Sequence, residues 1–129
     1  MNRIEQIRLM AEYNQWMNRK VYAAASTLTD AALAADRQAF FGSILGTLNH
    51  LALGDTVWLK RFAEHPAGFD ALAALGAVAT PRDLKALAFA DIRELHFFNH
   101  QTHHRGQVTT LLTQAGVDVG DTDLLALID

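Results

Sequence analysis

The chain has no cysteine among its 129 residues. Disulfides, thiolate metal sites and cysteine nucleophiles are therefore excluded. Proline occurs only twice, at Pro66 and Pro81, and both fall at helix boundaries in the reading below. No apolar run reaches the roughly 18 residues that a membrane-crossing helix needs. The stretch Met1 to Glu12 mixes charged with apolar residues, so it reads as neither a signal peptide nor a membrane span. A soluble, cytoplasmic protein is expected. Charge of one sign is also lacking. Eleven Lys and Arg face fourteen Asp and Glu, a net charge of −3. The acidic residues are dispersed, and no basic patch is available for nucleic acid. Nor does the sequence hold a GxSxG elbow, a phosphate loop or an HExxH motif.

What is present is an apolar half, 50% of the residues, enough for one core and a single domain over residues 1–129. The periodicity is helical almost throughout. Ile4, Ile7, Met10, Asn14, Met17, Val21, Ala24 and Leu28 recur at steps of three and four, which predicts an amphipathic helix from about Asn2 to Leu28, with Tyr13 and Trp16 flanking the stripe. Thr29 to Asp36 reads as a connector. Asp36 then reads as the N-cap of a second helix from Arg37 to Glu64, ended by Pro66 and Gly68. Thr80-Pro81-Arg82-Asp83 has the chemistry of a helix start: a capping hydroxyl, proline at the first helical position and a carboxylate at the positive end of the dipole. That third helix continues to Ala115, and Gly116 is placed to terminate it. One short turn around Asp70 to Leu75 and a short helix from Asp121 to Leu127 complete an all-α bundle of three long helices plus short ones.

The histidines carry the chemistry. His100 and His104 stand four apart, about 40° from each other around a helix at roughly 100° per residue, so both can reach one ion. Val108, Leu111 and Leu112 continue their face and point it inward. His96 and His103 share the same helix, and spacing alone allows His103 to pair with His100, or His96 to replace His104. On the second helix His50 lies between Gly46 and Gly54. Two helical glycines cost about 1 kcal/mol each relative to alanine. They make room for a ligand or for close helix packing. His65, beside Pro66, reads as solvated. Asn49 and Asn99 precede candidate ligands and are placed either to hold an imidazole tautomer or to face solvent. Arg105 could bind an anion or pair with a carboxylate. Asp55 is a candidate general base that also fits as an exposed helix charge, and Glu12 is a weaker candidate.

These residues resemble the DinB/YfiT-like family of four-helix-bundle metalloproteins. The likeness rests on Asn99-His100-Gln101-Thr102-His103-His104-Arg105-Gly106-Gln107 with Leu111 and Leu112, on Ala11-Glu12-Tyr13-Asn14-Gln15-Trp16-Met17-Asn18, on Gly42 to Leu51, and on Thr122 to Ile128. It implies an up-and-down bundle and a divalent metal (Zn, Ni, Mn or Fe) held by His50, His100 and His104. It further implies a metal-dependent hydrolase or thiol S-transferase acting on a small-molecule substrate. Family members carry a full additional helix where this chain offers only about Pro81 to Glu94. A second copy of the chain is therefore expected to close the exposed groove, giving a homodimer. Two readings from other classes stand beside the enzyme: a non-catalytic, metal-stabilised helical module for self-assembly, and a histidine-rich core without metal.

Overall fold

A computed structural model describes residues 1–63 and 93–128. Among these residues the structure is helical: α1 (Arg3–Ala25), α2 (Asp30–Ala34), α3 (Ile44–Ala63) and α4 (Arg93–Gln114), followed by a single 3-10 turn, Leu124–Leu127. The expectations for Asp70 to Leu75, for His65 and for the helix start at Thr80-Pro81 lie outside the described residues.

The first helix starts where its chemistry dictates. The Asn2 side chain accepts from the Glu5 amide at 3.0 Å, and the Glu5 carboxylate accepts from the Asn2 amide at 2.7 Å. This reciprocal cap satisfies two otherwise orphaned donors. The helix ends at Ala25 rather than Leu28. The hydroxyls of Ser26 and Thr27 bond back to the Ala23 and Ala24 carbonyls, both at 2.7 Å, and compete with helix continuation.

The second predicted helix begins later than Asp36 and Arg37. The Asp36 side chain accepts from the Gln38 amide at 2.9 Å, forming a tight turn instead of a helix cap. Gln38 and Gly42 both have positive φ, 56° and 76°, which no α-helix tolerates. The turn closes through the Arg37 amide on the Gly42 carbonyl at 2.7 Å. Ser43 then caps α3, its hydroxyl accepting from the Gly46 amide at 2.9 Å. The connector Thr29 to Asp36 also holds structure of its own: Thr29 caps α2 through the Ala32 amide at 3.1 Å.

The last long helix ends as expected. Gly116, with φ 85°, donates to the Thr113 carbonyl at 3.0 Å, and Val117 donates to the Leu112 carbonyl at 2.9 Å. These two bonds satisfy orphan carbonyls in the left-handed termination that glycine favours. The C-terminal short helix is tighter than predicted, a 3-10 turn capped by Asp123 on the Leu125 amide at 2.9 Å.

Helix α4 packs against both α1 and α3, and α2 packs against α3. The core joins Met17, Val21, Ala24 and Ala25 of α1 to Ile44, Leu48 and Leu51 of α3 and to Val108, Leu111 and Leu112 of α4. Fully burying each large aliphatic side chain contributes about 1.5–3 kcal/mol. Tyr13 belongs to this core rather than to its flank, and its hydroxyl donates to the Thr122 carbonyl at 2.6 Å, tying the C-terminal segment to α1. Trp58, Phe97 and Phe98 form a second cluster between α3 and α4. No described helix is long and apolar enough to cross a membrane.

Candidate metal centre

The buried stripe of α4 runs Phe97, Gln101, Arg105, Val108, Leu112, at helical steps of three and four. His100 and His104 flank that stripe on the side of α3. They meet His50, one turn beyond the buried Thr47. The three rings each offer a nitrogen, and these nitrogens all lie within 4.8 Å of one another. The Nε2 atoms of His50 and His100 face each other at 3.1 Å. Two ring nitrogens this close share either a proton or a cation. Ligands about 2.0–2.1 Å from one tetrahedral ion stand about 3.3 Å apart, so the observed spacing fits the donor set of a divalent metal. His104 stands edge-on to both partners, with ring centroids 4.4 Å from each.

The surrounding residues fix these rings. Phe41, on the turn before α3, stacks on His50 with centroids 4.1 Å apart and also meets the edge of His104. His100 Nδ1 contacts Gln101 Oε1 at 2.9 Å. Gln101 is fully buried. Its amide nitrogen donates to the Leu51 carbonyl at 3.0 Å and to Asp55 Oδ1 at 2.7 Å. Because both partners are acceptors, the carboxamide oxygen must face His100, whose Nδ1 then carries the proton and whose Nε2 keeps its lone pair. His104 Nδ1 similarly meets Gln107 Oε1 at 2.8 Å.

Electrostatics favours the neutral, ligating form. Burial, reinforced by the neighbouring charges of His104 and His100, pushes the His50 imidazole down to about 4. Burial also pushes His104 down, against the opposing effect of its hydrogen bond to Gln107.

Both glycines of α3 serve close approach. A Cβ on Gly54 would stand 2.8 Å from Gln101 Oε1 and 3.4 Å from His100 Cε1. A Cβ on Gly46 would stand 2.2 Å from the Phe41 carbonyl oxygen. Glycine therefore lets α4 carry Gln101 against α3, and lets the preceding turn carry Phe41 over His50.

The remaining candidates fall elsewhere. His96 and His103 are exposed. The ring of His96 lies 5.9 Å from that of His100 and 5.2 Å from Trp58, while His103 lies 4.9 Å from His104. Asn49, Asn99 and Glu12 are exposed. Asp55 is half-buried and reaches the imidazoles only through Gln101; its other oxygen accepts from Asn18 at 3.3 Å. Arg105 is 2% exposed. Its partners are neutral: Asn14, Asn18 at 3.3 Å and Thr102 at 3.4 Å. Gln101, Phe41, Asn14 and Asn18 were not singled out by the sequence reading as site residues. The signal for Gln101 was its i+1 position to a candidate ligand on the inward face.

A helical bundle whose facing helices bring three imidazoles together defines a class of candidate metalloproteins. The DinB family model matches residues 1–89 and 95–129, and the chain belongs to the DinB family. The matched range includes residues 81–89, part of the stretch from Pro81 to Glu94 in which the sequence departs from the family pattern. No curated protein and no solved structure matches the chain.

Proposed function

We propose that the chain binds one divalent metal ion through His50, His100 and His104, and that this centre serves hydrolytic or thiol-transfer chemistry on a small molecule. The observation that carries the reading is the convergence of three ring nitrogens within 4.8 Å. Three protein ligands, rather than four, are the pattern of sites that keep a position open for chemistry. When bound, such an ion supplies Lewis-acid chemistry, acidifying a water or a substrate thiol at its open position. The protein's own contribution is to hold neutral imidazoles in place. Phe41 covers one face of His50, and Gln101 and Gln107 accept the Nδ1 protons of His100 and His104. Imidazole ligands suit Zn, Ni, Mn and Fe alike.

The test is metal content per chain by plasma mass spectrometry, after purification without an affinity tag and after reconstitution. Wild type should carry close to one equivalent, and His100→Ala and His104→Ala should lose it. A folded wild type that takes up no metal, or a His104→Ala variant that retains a full equivalent, would overturn the reading.

A further inference from the structure

We propose that Gln101 is a positioning residue that sets which way the His50–His100 pair shares its proton, and so holds His100 Nε2 ready as a ligand. The proposal rests on the reading of the three histidines as a metal centre and deepens it.

The pair is ambiguous on its own. With the two Nε2 atoms 3.1 Å apart, either imidazole can donate to the other, and each direction requires the opposite pair of tautomers. A histidine whose Nε2 is protonated cannot ligate through that atom. Something outside the pair must break the symmetry. Gln101 is placed to do so, because its oxygen contacts His100 Nδ1 at 2.9 Å and can only accept.

The carboxamide cannot flip to offer a donor instead. Its nitrogen is held by the Leu51 carbonyl and by Asp55 Oδ1. Asp55 is in turn engaged by Asn18 through Oδ2. Flipping Gln101 would set its oxygen against two acceptors in a buried site, leaving groups unsatisfied at about 1–3 kcal/mol each. Asp55 is thus an anchor that acts on His100 through Gln101. Gly54 completes the device, since the close approach of Gln101 Oε1 leaves no space for a Cβ there.

The test reads the tautomer directly in the metal-free chain, by long-range ¹H–¹⁵N correlation of the imidazole nitrogens. Two variants are measured beside wild type. Gln101→Met keeps length and removes the acceptor. Gly54→Ala displaces the acceptor while leaving Gln101 in the chain, so one variant remains informative should the other not fold. Wild type should show His100 in a single form, protonated at Nδ1. Each variant should populate the Nε2-protonated form and bind Zn²⁺ about 10–100-fold more weakly, the usual range for losing a partner of a ligand. An unchanged single tautomer in a folded variant overturns the proposal, as does a shifted tautomer with unchanged Zn²⁺ affinity. If the wild-type tautomer and its loss are both seen but wild type binds no Zn²⁺, the role in readying a ligand fails with the metal reading, while the control of the pair by Gln101 stands.

Discussion

Phe41 lies nearly flat on the imidazole of His50, with ring planes 21° apart and centroids separated by 4.1 Å. The contact depends on a close backbone approach in the first turn of α3, where the Gly46 position faces the Phe41 carbonyl. Gly46→Ala should therefore be destabilising. The helix would gain about 1 kcal/mol in propensity. The new Cβ, however, would stand 2.2 Å from a backbone oxygen, and no side-chain rotation relieves that. Overpacking of this kind costs about 1–3 kcal/mol, and moving the turn also removes Phe41 from His50. Urea unfolding should show a lower midpoint at unchanged slope, and Zn²⁺ titration a weaker affinity. A midpoint at or above wild type would mean that the turn is free to move.

Gly54→Ala should behave differently in stability. Its clash at 2.8 Å is with the end of a side chain, Gln101 Oε1, not with backbone. Losing the hydrogen bond to His100 costs about 0.5–1.5 kcal/mol, which the gain in helix propensity of about 1 kcal/mol offsets. The unfolding midpoint should stay close to wild type. A loss of stability as large as that of Gly46→Ala would show that α3 and α4 cannot separate locally at this point.

The helices and the facing of the histidines were legible in the sequence because both follow from periodicity. Met17, Val21 and Ala24, or Val108 and Leu112, sit in the core where steps of three and four place them. The start of α3 was not legible. Asp36 and Ser43 are both good caps by residue type. What separates them is the pair of positive-φ residues between them, Gln38 and Gly42, and glutamine gives little local signal for that conformation. Among the site residues, the three imidazoles could be placed on inward faces from spacing, but His104 could not be preferred over His103 without the resemblance to a family. The burial of Gln101 and Arg105 was also hidden. Polar side chains on an inward face are solvated or satisfied according to what the opposite helix presents. Here the partners are Leu51 and Asp55 for Gln101, and Asn14 and Asn18 for Arg105, each many residues away in the chain.

Arg105 should not tolerate lysine. Its guanidinium is buried, and burial pushes its pKa down. It donates to Asn14, Asn18 and Thr102 from two nitrogens at once, with its guanidinium carbon over the Tyr13 ring, 5.6 Å from the centroid. A planar fork can span those acceptors, whereas an ammonium is a point donor. Hydrogen bonds from a charged group contribute about 1.5–3 kcal/mol each, so Arg105→Lys should lose about 2 kcal/mol or more, and Arg105→Ala at least as much. Thermal unfolding of both variants checks this. A lysine variant as stable as wild type would show that charge alone, and not the fork, satisfies α1.

Acid should weaken the metal-free chain in a defined window. His50 has its pKa lowered from 6.5 to about 4, by burial first and then by His104 and His100. His104 is lowered in the same sense. Between those values the unfolded chain binds more protons than the folded one, so stability rises with pH across the window and is lost as pH falls from about 6.5 towards about 4. Chelator-treated protein should accordingly unfold at lower urea concentration at pH 5 than at pH 7.5. In His50→Gln, which removes the most strongly shifted group, the difference between the two pH values should shrink. Equal midpoints at both pH values in wild type would mean that His50 and His104 accept protons as freely in the folded chain as in the unfolded one.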